Sequence, residues 1–251
     1  MLNNAWPGLI WHLYDWYLRP GGSYFGVKKA NEPVHVQYSY DDRSVVVVNS
    51  FYRTLAHLTA SAKVYNLDMA EKFSGSAPLD AAEDSSTRVL TLPEIPGLSP
   101  TYFVSLRLAD AAGKPLSENF YWLSTAPETL QWENSDWYHT PTKTFADYSA
   151  LNSLPKVQLN VASETAQHGD ERVTSVTLTN PGPSLAFAVR LKVKKGAEGD
   201  EVLPVIWEDN YFALLPGETR RISATYHSRD LGRATPVVEV EGWNVRQPTS
   251  H

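Results

Sequence analysis

The strand pattern of this chain is clearest in the stretch LAFAVRLKV, which occupies residues 185–193. Its large apolar residues stand at every second position: Leu185, Phe187, Val189, Leu191 and Val193. Side chains two positions apart lie on the same side of a β-strand, so this period places all of them on one face. The stretch therefore predicts a strand with one face in a hydrophobic core.

Similar patterns surround this stretch and predict a β-sandwich over residues 156–251. Strands are expected at residues 157–162, 172–180, 185–194, 201–207, 219–227 and 236–244. Two of the intervals contain strong turn sequences, Asn180-Pro181-Gly182-Pro183 and Leu215-Pro216-Gly217-Glu218. Proline fixes φ and glycine accepts a positive φ, which is why both residues favour turns.

A second sandwich is predicted for residues 33–125. Strands are expected at residues 34–40, 44–49, 58–65, 88–92, 102–109 and 116–124, with the polar interval 73–86 as a loop. About six or seven short strands over some ninety residues are typical of an immunoglobulin-like sandwich.

Two segments outside the sandwiches are rich in aromatic residues. In residues 1–32 the only predicted helix runs from Ser23 to Asn31, with Ser23 as its N-cap and Pro33 ending it. This segment is too short to enclose a core, so we expect it to be poorly ordered or folded over a sandwich. Residues 126–155 are expected to form a packed linker, because a flexible linker would be rich in Gly and Ser. Their large aromatics are Trp132, Trp137, Tyr138, Phe145 and Tyr148.

Composition excludes several classes of function. The chain has 251 residues, a formal net charge of −6 and no cysteine. The acidic balance argues against a nucleic-acid partner, which would require clustered Lys and Arg. No stretch approaches the ~20 apolar residues of a membrane span, so no membrane partner is expected. Without cysteine, and with the seven histidines scattered, the sequence predicts no metal site and no cofactor.

The N-terminal aromatic segment resembles a known enzyme family. The run Leu2-Asn3-Asn4-Ala5-Trp6-Pro7, followed by Trp11 and Tyr14-Asp15-Trp16-Tyr17, resembles the end of the catalytic barrel in glycoside hydrolase family 2. The likeness continues through residues 22–38, and residues 209–218 resemble the C-terminal immunoglobulin-like domain of the same enzymes. The most similar branch contains exo-β-D-glucosaminidases and β-mannosidases. Within it, residues 2–49 favour the glucosaminidase side, notably at Trp11-His12-Leu13.

This resemblance implies an all-β chain with two tandem immunoglobulin-like β-sandwich domains. They would be preceded by a short remnant of a TIM barrel, its last strand and helix, in residues 1–32. Asn4 and Trp6 would lie at the C-terminal mouth of the barrel, where such enzymes bind substrate. Trp6 is then a candidate platform beneath a sugar ring and Trp11 a supporting wall, although simple packing in the barrel stays an alternative for both.

The same resemblance implies that the catalytic residues lie elsewhere. Family members are retaining enzymes, which use two carboxylates about 5 Å apart on earlier barrel strands. The chain's adjacent acidic pairs, Asp41-Asp42, Glu83-Asp84 and Asp170-Glu171, stand in polar turns and read as solubilising charges. We therefore expect no catalytic residue here, and no glycoside hydrolysis by the isolated chain.

The sequence leads to one main functional hypothesis and two alternatives. The first is the C-terminal accessory region of an exo-β-D-glucosaminidase that degrades chitosan oligosaccharides, with Trp132 or Trp137 as candidate contributors to the substrate site. The alternatives are the same region of a β-mannosidase, and a non-catalytic carbohydrate-binding or structural module. The expected partners are an upstream catalytic barrel with its N-terminal domains, and an oligosaccharide of β-linked amino sugar or mannose. The parent enzyme is expected to be periplasmic or secreted.

Overall fold

The computed structural model describes residues 13–246 of the chain. They are nearly all β-structure and divide into two compact units. One unit contains residues 29–154, and the other combines residues 13–28 with residues 155–246. The helices of the described residues include none that is both long and apolar enough to cross a membrane.

The unit of residues 29–154 has two antiparallel sheets. The smaller sheet has the order β1-β2-β5 and consists of β1 (Val34–Tyr38), β2 (Ser44–Asn49) and β5 (Ser85–Thr91). The larger sheet has the order β4-β3-β6-β7 and consists of β3 (Leu55–Asn66), β4 (Glu71–Ala81), β6 (Thr101–Ala109) and β7 (Pro115–Ser124). One core joins the two sheets, and its members include Val36, Val47, Val64, Val104 and Leu106.

The loop predicted for residues 73–86 is wrong, because most of it belongs to β4. This strand contains Gly75 and Pro78, which usually argue against a strand. Proline is tolerated here because β4 is the edge strand of its sheet and pairs on one side only, with Pro78 opposite Thr59. Glycine at position 75 leaves room for the ring of Phe73, which would lie 2.7 Å from a Cβ atom there.

After β7 the chain forms a short two-stranded hairpin and two 3₁₀ turns. The hairpin pairs β8 (Thr129–Leu130) with β9 (Thr142–Thr144), and one 3₁₀ turn, Trp132–Asn134, lies between them. The second 3₁₀ turn, Ser149–Ser153, precedes the other unit.

The unit of residues 13–28 and 155–246 is also a two-sheet sandwich. One sheet has the order β10-β11-β15-β13 and consists of β10 (Asn160–His168), β11 (Glu171–Thr179), β15 (Thr219–His227) and β13 (Ile206–Trp207). The other has the order β14-β12-β16 and consists of β14 (Phe212–Leu214), β12 (Ala186–Lys195) and β16 (Pro236–Glu241). A single turn, α2 (Ser228–Leu231), follows β15. All five apolar residues of the 185–193 stretch are buried, and Val189, Leu191 and Val193 belong to the core as predicted. The prediction of one continuous face is wrong at the start of the stretch, because a register shift between Ala186 and Val189 interrupts the alternation and Ala186 joins the core.

Three predicted strands of this unit are wrong in their bounds, and the one expected at residues 236–244 ends at Glu241. The strand expected at residues 157–162 begins instead at Asn160, and all nine residues of β10 are exposed. The strand expected at residues 201–207 is reduced to β13, since Glu201 forms only an isolated bridge with Lys194.

Buried asparagines hold the connecting segments of this sandwich. The Asn244 amide donates to the carbonyls of Pro155 and Leu185, both at 2.7 Å, and its oxygen accepts the Phe187 N–H at 2.9 Å. Asn210 accepts from and donates to the backbone of Leu191. Each asparagine therefore satisfies backbone groups that the sheets leave unpaired, which would otherwise be costly to bury.

Candidate functional site

The candidate substrate residues Asn4, Trp6 and Trp11 lie outside the described residues. Their roles at a barrel mouth therefore stay predictions. The part of the aromatic segment that the structure describes begins at Leu13 and leads into α1 (Gly22–Ala30). The helix expected from Ser23 to Asn31 is thus confirmed, with bounds shifted by one residue toward the N-terminus. The prediction of Ser23 as its N-cap is wrong, because the helix begins at Gly22 and Ser23 lies inside it.

A hydrogen-bonded loop precedes this helix. Asp15 Oδ1 accepts the backbone N–H groups of Tyr17 and Arg19, at 2.9 and 3.0 Å. Tyr14 and Pro20 form an antiparallel bridge across the loop. The Asp15 carboxylate also pairs with the Arg19 guanidinium at 3.3 Å. This local network fixes the direction in which Arg19 leaves the backbone.

Arg19 connects the segment to the second sandwich through Glu201. Its Nε lies 2.8 Å from Glu201 Oε2, and the same carboxylate oxygen lies 3.0 Å from Arg190 Nη2 on β12. The Glu201 side chain is only 13% exposed, so its charge is held by two guanidinium groups with little help from water. The pKa of Arg19 is raised: burial alone would lower it, but the hydrogen bond and charge of Glu201 outweigh that effect.

The pairing continues along β12 and β16. Lys192 binds both Glu239, at 2.9 Å, and Glu241, while Lys194 binds Glu239 at 3.1 Å. Arg190 also reaches Glu241, at 3.4 Å. The Lys192 hydrogen bond, more than any other contact, lowers the pKa of Glu239 to about 2. These lysines are consequently part of a mixed-charge strand face, which does not suit an anion-binding patch.

Aromatic contacts complete the packing of α1 on the same sandwich. Phe25 is 4% exposed and belongs to the core that Leu191, Phe212 and Trp207 also form. Tyr24 meets the Phe25 ring edge-on, with centroids 4.9 Å apart. One face of the helix is thereby part of the C-terminal core.

Two further contacts fix the ends of the helix. Lys28 Nζ donates to the carbonyls of Trp207, at 3.0 Å, and Glu208, at 2.7 Å. At the other end, the Tyr14 and Tyr24 rings lie 5.0 Å apart. Burial, followed by a hydrogen bond with Tyr24, raises the pKa of Tyr14 to about 12. Residues 13–28 thus join the second sandwich through ionic, aromatic and backbone contacts together.

Sequence reasoning did not single out Arg19, Lys28 or Glu201. The partners in the Arg19–Glu201 pair are 182 positions apart, and no local pattern connects them. For Phe25 the sequence contained a weak indication of burial, because it is a large apolar residue in a short helix whose other residues are mostly polar or small.

The linker of residues 126–155 presents exposed aromatics on an ordered backbone. The exposed fractions are 69% for Trp132, 95% for Trp137, 59% for Tyr138 and 79% for Phe145. Its prediction as a segment packed against a neighbouring domain stays a prediction. We refer to residues 129–144, from β8 to the end of β9, as the aromatic loop.

The acidic pairs have the environment of surface charges. Asp41, Glu83, Asp84, Asp170 and Glu171 are all exposed. Asp42 accepts a hydrogen bond from Ser44, which lowers the pKa of its carboxyl, whereas a general acid needs a raised pKa. Among residues 13–246 no cluster of three or more His, Asp or Glu side chains is arranged to hold a metal ion.

Comparisons with known proteins match both sandwiches. The family described as the exo-β-D-glucosaminidase Ig-fold domain matches residues 137–245, and the mannosidase Ig/CBM-like domain matches residues 41–126. An exo-β-D-glucosaminidase of Streptomyces avermitilis is 47% identical over 99% of this chain, which covers 28% of that protein. The corresponding enzyme of Amycolatopsis orientalis is 44% identical over 99% of the chain, which covers 24% of it.

The solved structures agree with the sequence comparisons. The crystal structure of Amycolatopsis orientalis exo-chitosanase CsxA superposes with a TM-score of 0.93 at 44% identity, over 98% of this chain and 29% of that one. The chain therefore spans about a quarter of the length of the curated relatives it matches. Both sandwiches are thus immunoglobulin-like domains of the kind found in the exo-β-D-glucosaminidase and β-mannosidase branch of glycoside hydrolase family 2, and the chain corresponds to the immunoglobulin-like region of these relatives.

Proposed function

We propose that this chain is the C-terminal accessory region of a retaining exo-β-D-glucosaminidase that degrades chitosan oligosaccharides. The observation that carries the proposal is the match over 98–99% of the chain to exo-β-D-glucosaminidases of which it forms about a quarter. On this proposal the two catalytic carboxylates belong to an upstream barrel, where one attacks the anomeric carbon and the other protonates the leaving oxygen.

The role proposed for the chain is to complete and support that barrel. Residues 1–32 supply its last strand and helix, residues 33–125 and 156–251 form the two sandwiches, and residues 126–155 form the linker. The contacts of Arg19, Phe25 and Lys28 support this division of labour, because they fasten α1 to the C-terminal core. A catalytic site needs its residues held within a fraction of an ångström, and a fixed last helix contributes to that precision.

Asn4, Trp6 and Trp11 keep their proposed places at the barrel mouth. An aromatic face beneath a sugar ring and an amide near its hydroxyls are a common arrangement for pyranose binding. The β-mannosidase alternative is favoured by one observation, the mannosidase Ig/CBM-like match at residues 41–126. Residues upstream of this chain would largely determine which sugar is bound. The chain can therefore separate the two assignments only by how well it packs on the barrel of each enzyme.

The experiment replaces the corresponding region of Amycolatopsis exo-chitosanase CsxA, and in parallel that of a β-mannosidase, with this chain. We expect the first chimera to release nitrophenol from nitrophenyl β-D-glucosamine and the second to be far less active on nitrophenyl β-mannoside. The isolated chain should hydrolyse neither. An active mannosidase chimera beside an inactive glucosaminidase chimera would reverse the assignment, and turnover by the isolated chain would refute the accessory role.

A further inference from the structure

The aromatic loop keeps a defined backbone conformation without a buried core of its own. The N–H of Gln131 donates to the Pro141 carbonyl at 2.9 Å, across the base of the loop. Closer to the tip, the hydroxyl groups of Ser135 and Thr140 lie 2.6 Å apart. The loop is therefore closed by hydrogen bonds at two levels, independently of its aromatic side chains.

Asp136 orders the tip of the loop. Its Oδ1 accepts the backbone N–H groups of Tyr138 and His139, at 2.7 and 2.6 Å, and its own N–H donates to the His139 carbonyl at 3.0 Å. These hydrogen bonds lower the pKa of the Asp136 carboxyl, so that it stays ionised in mildly acidic solution. The turn directs Trp137 outward, where it is 95% exposed.

Exposed aromatic rings stand beside the Asp136 carboxylate at the tip of the loop. The Trp137 and Tyr138 rings are neighbours with centroids 5.6 Å apart. Residues 129–144 carry the carboxylates of Glu133 and Asp136 together with Lys143 and His139, and Glu128 and Asp147 flank the loop. Carboxylates beside aromatic faces complement a ligand that has both cationic groups and apolar ring faces.

We propose that the aromatic loop binds the protonated amino-sugar units of a chitosan-type oligosaccharide. Trp137 and Tyr138 contact the faces of the sugar rings, and the carboxylates of Glu133 and Asp136 attract the ammonium groups. The loop would capture the polymeric substrate for the enzyme, and in this respect the inference rests on the proposed function. An uncharged oligosaccharide offers the same ring faces but not the charge, which makes it the discriminating ligand.

The test titrates the full chain with a glucosamine hexamer and with its N-acetylated counterpart, by calorimetry at low ionic strength and weakly acidic pH. We expect saturable binding of the glucosamine hexamer and at least about five-fold weaker binding of the acetylated one, because the ammonium groups are lost. The Trp137→Ala variant should weaken binding by about five-fold or more. Trp243→Ala, which removes a tryptophan that is 52% exposed in the other unit, is the matched control and should bind as the unchanged chain does.

A variant at Asp136 separates the contribution of charge from that of the aromatic rings. Asp136→Asn keeps an oxygen that accepts the Tyr138 and His139 N–H groups but removes the charge, so it should weaken binding and flatten its salt dependence. Absence of binding, equal binding of both hexamers, or unchanged affinity of Trp137→Ala would each overturn the proposal.

The glucosaminidase chimera distinguishes failure of this inference from failure of the proposed function. On nitrophenyl β-D-glucosamine, the chimera with Trp137 in place should show turnover. If that turnover occurs while the isolated chain binds no oligosaccharide, the proposal is wrong, although the accessory role stands. If the chimera is inactive with Trp137 in place, it is the proposed function that fails.

Discussion

Replacing Phe25 with alanine tests whether the N-terminal segment is an integral part of the second sandwich. Phe25 is 4% exposed and belongs to the same core as Trp207 and Phe212. Truncating a buried phenylalanine to alanine costs about 3–5 kcal/mol, through lost burial and the cavity left behind. Tyr24 and Tyr211, which pack against this core, are only partly buried and can relax into the space that the phenylalanine leaves. We therefore expect a cost at the lower end of this range, about 3 kcal/mol.

The assay is hydrogen exchange during urea unfolding, because it separates the two units. A loss of about 3 kcal/mol should lower the urea midpoint of β12 by about 1–3 M, given typical denaturant slopes. Protection of β6, in the other unit, should change little. Val27→Ala, on the same helix but 45% exposed at position 27, is the matched control and should shift stability by about 0.5 kcal/mol or less.

A Phe25→Ala effect below about 1 kcal/mol would refute the reasoning, because it would mean that the helix contributes little to the core. An equal loss of protection in β6 would also contradict it, since the core that contains Phe25 belongs to the second sandwich alone.

Three further substitutions test the polar contacts of this sandwich. Asn244→Ala removes three hydrogen bonds to the backbone and should lower the free energy of unfolding by about 2–3 kcal/mol. The control is Asn160→Ala at an exposed position, which should leave the free energy of unfolding almost unchanged. Equal melting temperatures for the two variants would contradict this prediction. Glu201→Gln removes the carboxylate charge shared by Arg19 and Arg190 and should lower the free energy of unfolding, measured in urea, by about 1–3 kcal/mol. High salt added to the unchanged chain should not reproduce this loss. Glu239 has its pKa lowered from an ordinary 4.5 to about 2, so it stabilises the fold above pH 4.5 and loses that contribution as the pH falls toward 2. Glu239→Gln should therefore be less stable than the unchanged chain at pH 7 and lose less stability on acidification to pH 3; parallel pH profiles would show that the carboxylate is not involved.

The sequence predicted most of the strands that have one buried and one more exposed face, although it missed the short β14. Within the 185–193 stretch, Val189, Leu191 and Val193 lie in the core as expected, because β12 lies between β14 and β16. The pattern failed at edges. The strand β4 was not predicted because it contains Pro78, although an edge strand tolerates proline. The residues of β10 are all exposed, and their sequence has no apolar alternation. The apolar signal near β10 came from Val157 and Leu159, which are buried before the strand begins.

The candidate site, too, could be predicted where nearby residues specify it and not where distant residues do. A local pattern that ends at Pro33 predicted α1, because helix ends are specified by nearby sequence, although Ser23 lies inside the helix and not at its N-cap. The contact that fixes it, between Arg19 and Glu201, depends on the folding of a strand pair far along the chain. The aromatic loop was conspicuous as sequence, but only the structure shows Trp137 exposed on a hydrogen-bonded turn.

The central claim is that these two immunoglobulin-like domains work as part of a larger glucosaminidase, and the size of the native protein tests it most directly. The chain's 28.0 kDa corresponds to 28% of the Streptomyces relative's length, which gives about 100 kDa for a full-length protein (28.0/0.28). An immunoblot of cells and culture fluid from the producing organism, with antibodies raised against this chain, should show a band near that mass that co-purifies with glucosamine-releasing activity on chitosan oligosaccharides. A band of about 28 kDa alone, separate from any such activity, would contradict the account.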